Sequence, residues 1–209
     1  MQSAKPAMLH TWLAINNGIK SRLCTKNKMI TTMFLPRDQY DMYGDWLLRQ
    51  DADTLKNYFG ITATPGFIRE LVDRVAVSPG KHQFLVALDD NTWAGALHMA
   101  MNLNTDIEFG IIVAREYRGQ GIADRLIDEA VTWAQNRRFQ HLYLHCLSWN
   151  QPIKHLCKKY GLEIRNQDGS GEVNVELPPP SMISVGKEFV SMNRNIFTKM
   201  LENTWKVAK

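Results

Sequence analysis

Acidic residues are missing from the first part of this chain. Residues 1–37 hold six Lys or Arg and neither Asp nor Glu. The remaining positions carry 19 basic and 21 acidic residues, so the formal net charge of +4 belongs to a tail and not to the body. A nucleic-acid surface is usually a basic face of the fold itself, and this distribution argues against one. Cysteine is scarce. Cys24, Cys146 and Cys157 are odd in number and far apart, which excludes a C-x-x-C zinc knuckle and speaks against a disulfide framework. A reducing, cytoplasmic setting is the simple expectation. No apolar run approaches the ~20 residues of a membrane span, so no membrane partner is expected. The acid-free start has only Arg22 before residue 37 and reads as an extension, not as an Arg-rich transit peptide.

What remains is ordinary globular material, 44% hydrophobic over 209 residues. That is enough for one domain with appendages. Residues 1–28 read as the extension, 29–177 as the domain, and 178–209 as a proline break followed by an amphipathic C-terminal helix. Met29 to Leu35 reads as a first strand, ended by Pro36. Asp38 to Leu48 and Thr54 to Tyr58 read as helical, with a turn at Asp51-Ala52-Asp53. Thr64-Pro65 opens a further helix through Val77, with Thr at the cap and Pro in the first turn. Strands are expected at His82–Leu88, Thr92–Met101 and Asp106–Val113. The first two are joined by the turn cluster Asp89-Asp90-Asn91. A long helix from Gln120 to Arg137 presents Ile122, Leu126, Ile127, Ala130, Val131 and Ala134 on one face. His141–Leu147 reads as a strand. Asn150 caps a short helix that Gly161 ends, and 162–164 with 172–177 read as a closing hairpin. This order predicts an α/β fold: a mixed central sheet flanked by helices. Beyond Pro178-Pro179-Pro180, the residues Phe189, Ile196, Phe197, Met200, Leu201 and Trp205 form a one-sided helical face. That face must bury on the domain or on a second copy, as in a homodimer.

The chemistry concentrates at Ile111-Ile112-Val113-Ala114-Arg115-Glu116-Tyr117-Arg118-Gly119-Gln120-Gly121-Ile122-Ala123. An apolar strand ends in a turn that opens into a helix. Glycines let backbone N–H groups converge without Cβ obstruction. The helix start adds unpaired N–H groups and the positive end of its dipole, and Arg118 can pair with phosphate oxygens. The layout is that of a pyrophosphate cradle. It is neither a dinucleotide fingerprint, because Asp124 stands at the third glycine position, nor a Walker loop, because no Lys-Ser/Thr pair follows.

The segment resembles the acyl-CoA motif Q/R-x-x-G-x-G/A of the GNAT superfamily of N-acetyltransferases, with Arg118, Gly121 and Ala123 at its fixed positions. Agreement extends to the acidic residue of the preceding strand, Glu108, and to Asn150, Leu156 and Gly161 in the later helix. Ile153 replaces a small residue there, and Cys157 stands where the family often has Tyr. The likeness covers about residues 29–177. It implies acetyl-CoA as acyl donor without a metal. Arg118, Gly119, Gln120, Gly121, Ile122, Ala123 and Asn150 would serve the binding site. The backbone of Ile111, Ile112 and Val113 would bond the pantetheine arm like a neighbouring strand. Glu108 would act as general base, its pKa raised toward a useful range by desolvation between Ile107 and Phe109. Cys157 would protonate the leaving thiolate, or else pack in the core with Ile153, Leu156 and Tyr160. The expected activity is acetyl transfer to a primary amine: a small amine, an antibiotic, an amino acid, or a protein lysine or N-terminus. The alternative is a catalytically weak CoA-binding module acting as sensor or scaffold. His141 and His145 lie about 13 Å apart along a strand and cannot share an ion. His98 reads as a packed histidine.

Overall fold

A computed structural model describes residues 30–78, 80–102, 105–147, 149–159, 162–167 and 170–193. Seven strands form one sheet: β1 (Ile30–Phe34), β2 (His82–Asp89), β3 (Thr92–Met101), β4 (Asp106–Val113), β5 (His141–Leu147), β6 (Arg165–Gln167) and β7 (Ser170–Glu176). Their order is β1-β2-β3-β4-β5-β7-β6. All neighbours are antiparallel except β4 and β5, which run parallel. A parallel pair needs a crossover, and the long helix between these two strands supplies it. The mixed sheet expected from the sequence is the one observed.

Helices α1 (Tyr40–Leu47), α2 (Ala52–Phe59), α3 (Pro65–Ala76), α4 (Ile122–Asn136), α5 (Gln151–Lys159) and α6 (182–193) complete the described fold. Local chemistry sets their starts. Thr64 accepts a hydrogen bond from the N–H of Phe67 at 3.2 Å, with Pro65 first in α3. Asp51 accepts from the N–H of Thr54 at 3.0 Å and caps α2. The expected turn at 51–53 is therefore a helix start, because Asp at the cap and Thr three residues on satisfy each other.

The two faces of the sheet alternate with the strand period. A Cβ placed on Gly95 would lie 3.2 Å from Ile122 Cγ2, so Gly95 and Leu97 face α4. Leu85 and Ile111, opposite Leu97 in the ladders, share that face. Leu85, Leu97, Leu126 and Ala130 are completely buried. The other face carries Phe84, His98 and Gly110 in one row. Phe84 meets Tyr40 edge-to-face and Tyr43 at a tilt, both from α1, at 4.8 and 4.3 Å between ring centres.

Two boundaries differ from the sequence reading. The last hairpin begins at Arg165, not Leu162. The N–H of Leu162 instead bonds to the carbonyl of Cys157 at 2.9 Å, closing α5 in the manner of a C-terminal cap. Its side chain lines an apolar space with Leu156 and Val175. The long helix begins at Ile122, with Gly121 before it in a left-handed conformation, φ 76°. Helix α6 docks by polar contacts: Ser184 Oγ donates to Asn136 Oδ1 at 2.5 Å, and Arg137 pairs with Glu188 at 2.9 Å. Its apolar residues Met182 (90%), Ile183 (69%), Phe189 (69%) and Val190 (63%) are exposed. The extension 1–28 and the apolar positions from Ile196 to Trp205 lie outside the described residues.

Candidate active site

Strand β4 is the axis of the site. It pairs with β3 along nearly its whole length, from Met101↔Ile107 to Gly95↔Val113. On the other side, its ladder with β5 begins at Asp106↔His141 and stops at Phe109↔Leu144. The strands part there, and the β5-facing edge of Gly110, Ile111, Ile112 and Val113 leaves the ladder. A chain edge of this kind is a template for one more extended segment.

Beyond Val113 the backbone makes a short 3-10 turn, Arg115–Tyr117, and then passes through Gly119 (φ 73°) and Gly121 (φ 76°) into α4. Left-handed φ is what glycine supplies here. A Cβ at either glycine would meet nothing within 4 Å, so it is the left-handed backbone and not crowding that calls for glycine here. The first bond into the helix is Arg125 N–H to Gly121 carbonyl, 3.1 Å. The amides of Ile122, Ala123 and Asp124 precede it, in the helix end where N–H groups lack intrahelical acceptors. Gln120 is tied back to the Glu116 carbonyl at 3.0 Å. These are the features a diphosphate needs.

Arg118 lies beside the turn. Its Nε donates to the Val113 carbonyl at 3.3 Å and Nη2 to Thr54 Oγ1 at 2.6 Å. A guanidinium has five N–H donors, so further ones are available to a phosphate. The sequence reading missed what surrounds it. Arg115 pairs with Asp51 at 2.7 Å and Asp53 at 3.0 Å. The N-terminus of α2 thus clamps the cradle turn at Arg115 and at Arg118. The Thr54 hydroxyl, together with the Thr54 N–H and Arg115, holds the Asp51 carboxyl down at about 2. A D-x-x-T capping pattern was visible in the sequence; its partner sixty residues on was not.

Asn150 caps α5, its Oδ1 accepting from the N–H of Ile153 at 3.3 Å, and its amide donates to the Asn57 carbonyl at 2.9 Å. Both ends of this side chain are engaged in fixing α5 against α2, across the mouth where β4 and β5 part. Cys157, on the next turns of α5, is 1% exposed. It lines a dry apolar space with Ile127, Val131, Leu144 and Leu156. That placement is a core position on the α4 side of the sheet.

Glu108 lies on the other face, at the last rungs before the strands part. Its carboxylate is 40% exposed and lies 3.6 Å from His145 Nε2. The desolvation expected between Ile107 and Phe109 is not what the structure shows: those neighbours point to the opposite face and leave Glu108 open. His141 is 3.0 Å from Asp106. The two histidines thus each face a β4 carboxylate and do not converge. His98 packs against Phe84 and meets His82 at 3.0 Å, and burial, with the neighbouring His82, pushes it down to about 3. It is a neutral, packed histidine. Among the described residues no group of His, Cys, Asp and Glu is arranged to hold a metal ion, and no helix is long and apolar enough to cross a membrane.

A second opening starts at Gly121 and runs along the outer side of α4 as a cavity of about 490 Å³, lined by Phe34, Asp128, Trp133, Lys159 and Lys187. Burial, and then the charge of Asp124, pushes the Asp128 carboxyl up to about 6. Nothing in the helical pattern of the sequence announced this carboxyl as half-buried, because Lys187 and Glu188 of the distant α6 line the same cavity.

Residues 46–162 match the model of the Acetyltransferase (GNAT) family, more than half of the chain. No curated protein sequence is a significant match. Among solved structures, the fold is similar to spermidine N-acetyltransferase from Vibrio cholerae in complex with CoA and spermine. That likeness has 19% identity and a TM-score of 0.57, and covers 72% of this chain and 97% of that one. It is also similar to the GNAT domain of S. lividans PAT, with 13% identity and a TM-score of 0.61, covering 70% and 89%. A third is the PaiA N-acetyltransferase of Thermoplasma acidophilum in complex with coenzyme A, with 16% identity and a TM-score of 0.54, covering 70% and 98%. A parted parallel strand pair that feeds a glycine turn at a helix start, and a family match spanning both, lead to one conclusion: the chain belongs to the GNAT acetyltransferase family.

Proposed function

We propose that the protein transfers an acetyl group from acetyl-CoA to a primary amine by direct attack. The observation that carries this reading is the ladder of β4, which stops pairing with β5 at Phe109 while the strand runs on to Val113 and into the cradle. The backbone of Ile111, Ile112 and Val113 receives the pantetheine arm as an added strand. The turn Arg118, Gly119, Gln120, Gly121, Ile122 and Ala123 receives the pyrophosphate. Asn150 serves the site indirectly, by holding α5 at its mouth.

Glu108 is the general base. It takes a proton from the acceptor ammonium, directly or through one water. The neutral nitrogen attacks the thioester carbonyl, the C–N bond forms, and the C–S bond breaks. A strand N–H at the parted edge stabilises the developing oxyanion. A second proton leaves the nitrogen as the amide forms, and the thiolate is protonated from solvent. Cys157 we assign to packing, since its thiol is buried. That burial is also the observation that favours the second reading, a CoA-binding sensor or scaffold with slow chemistry.

Calorimetry with acetyl-CoA, followed by thiol release with a panel of amines, tests the proposal. Spermidine leads the panel because the V. cholerae protein is described with spermine; n-butylamine and a lysine peptide follow. Binding without any transfer favours the sensor, and absence of binding refutes both. The scattered cysteines support a cytoplasmic setting. The exposed apolar residues of α6 support a homodimer through the C-terminal helix, which light scattering on Phe189→Asp tests: the variant should be monomeric where the parent is not.

A further inference from the structure

The acceptor face of β4 holds two tyrosines that the reaction above does not use. Tyr58, near the end of α2, lies across β4 where the strands part. A Cβ placed on Gly110 would meet Tyr58 Oη at 2.8 Å and Cε2 at 3.3 Å. Gly110 is thus a glycine of space, and its missing side chain is what lets the phenol reach the strand. Tyr43 Oη, from α1, donates to Tyr58 Oη at 2.9 Å. Burial raises both phenols, Tyr43 well above its ordinary value and Tyr58 to about 12, and the negative charge of Glu108 adds to the second shift. Tyr58 is therefore a neutral phenol that senses the Glu108 carboxylate, yet among the described residues no hydrogen bond joins the two. A phenol oxygen that receives one hydrogen bond still has a lone pair and its own proton.

We propose that the acceptor's amino nitrogen is held between Tyr58 Oη and the Glu108 carboxylate, over Gly110, so that Tyr58 is an acceptor-binding residue of the transfer site. The inference rests on the transferase reading above. The ammonium donates one N–H to Glu108 and one to Tyr58. After Glu108 takes its proton, the bond to Tyr58 fixes the nitrogen beside the parted edge, where the thioester carbonyl of acetyl-CoA would lie against Ile111. The C–N bond then forms and the C–S bond breaks. The remaining excess proton goes to solvent, and the thiolate takes one from it. Tyr43 restricts the phenol to one orientation by occupying its other lone pair.

The test uses the full chain, acetyl-CoA, and spermidine, n-butylamine and a lysine peptide as acceptors. Tyr58→Phe should lower kcat/KM for the best acceptor about 10- to 100-fold, the loss of a hydrogen bond to a charged group. Its acetyl-CoA affinity should stay within error of the parent, while its melting temperature should fall modestly because the buried Tyr43 hydroxyl loses its acceptor. Gly110→Ala should reproduce the loss by displacing the phenol, and Tyr43→Phe should show a smaller one. A Tyr58→Phe variant within twofold of the parent overturns the proposal and leaves the transferase standing. So does a loss accompanied by an equal loss of acetyl-CoA affinity, or one that Tyr43→Phe, which breaks the same phenol pair, reproduces in full; either would make Tyr58 scaffold. A parent that transfers to none of the amines overturns the transferase reading and this inference with it.

Discussion

The two faces of the sheet do different work with the same strands. Toward α4 and α5 the inward residues are mostly aliphatic or small, from Leu85, Leu97 and Leu126 to Ala130 and Cys157, with Phe109 and Trp133 among them, and almost none is exposed. Toward α1 and α2 the same strands present Phe84, His98, Gly110 and Glu108, which meet Tyr43, Tyr58 and His145. One face excludes water and stores stability. The other keeps titratable groups within reach of one another and leaves Glu108 open. A change on the first should therefore cost folding and spare binding, and a change at the site should do the reverse.

The largest expected effect is on the dry face. Leu126→Ala removes a completely buried side chain between α4 and the sheet. Chemical denaturation should show a loss of about 2–5 kcal/mol, while the folded fraction still binds acetyl-CoA. A large affinity loss in that folded fraction would break the separation of the two faces.

Asp128 sharpens the comparison because it is a half-buried carboxyl away from the candidate site. Its folded pKa, about 6, lies above its ordinary value of 3.8. Folding therefore favours the protonated form. The stabilising contribution is present in full below about 3.8 and is lost as pH rises through about 6. Asp128→Asn should raise stability at pH 8 by up to about 3 kcal/mol and flatten the stability profile between pH 4 and 7. A parent profile already flat in that window would place the carboxyl in water.

Arg118→Ala tests the site without touching either core. It should weaken acetyl-CoA by about 1–3 kcal/mol in calorimetry if the guanidinium makes a charge-assisted bond to phosphate. Because Arg118 also holds Thr54 and the Val113 carbonyl, Thr54→Val is the control: an equal loss there would show that the clamp and not the phosphate contact matters.

The smallest effect is at Cys157. Cys157→Ala should lower stability by about 1 kcal/mol and leave turnover almost unaltered, as expected of a thiol on the dry face. A 10- to 100-fold loss of turnover at preserved melting temperature would return it to the reaction as a proton donor.

The elements that were legible in the sequence are those whose signal is local. Thr64-Pro65 names a helix start, the stripe from Ile122 to Ala134 names a buried face, and Arg118-Gly-Gln-Gly names the turn that joins strand to helix. What stayed hidden depends on distant partners. Asp51-Ala-Asp reads as a turn until Thr54 caps with it and Arg115 closes on it from sixty residues away. Glu108 reads as desolvated from its sequence neighbours, although alternation sends those neighbours to the opposite face. Tyr58 and Gly110 are unremarkable alone, and only the crossing of α2 over β4 makes them a pair. Leu162-Glu-Ile has the composition of a strand, but capping α5 was the nearer use for its N–H.

The clamp between α2 and the cradle turn has one more consequence. Helix α2 is held at its first turn by Arg115 and Arg118, and at its last turn it carries Tyr58 against Gly110. The turn and Tyr58 are therefore carried on one short helix, so a shift of the turn is passed to the phenol at the other end. Free-energy linkage then requires reciprocity: whatever factor acetyl-CoA contributes to amine affinity, the amine must contribute to acetyl-CoA affinity. If the proposed transferase is right, an eight-residue helix fastened at both ends is the element through which its two ligands would be linked.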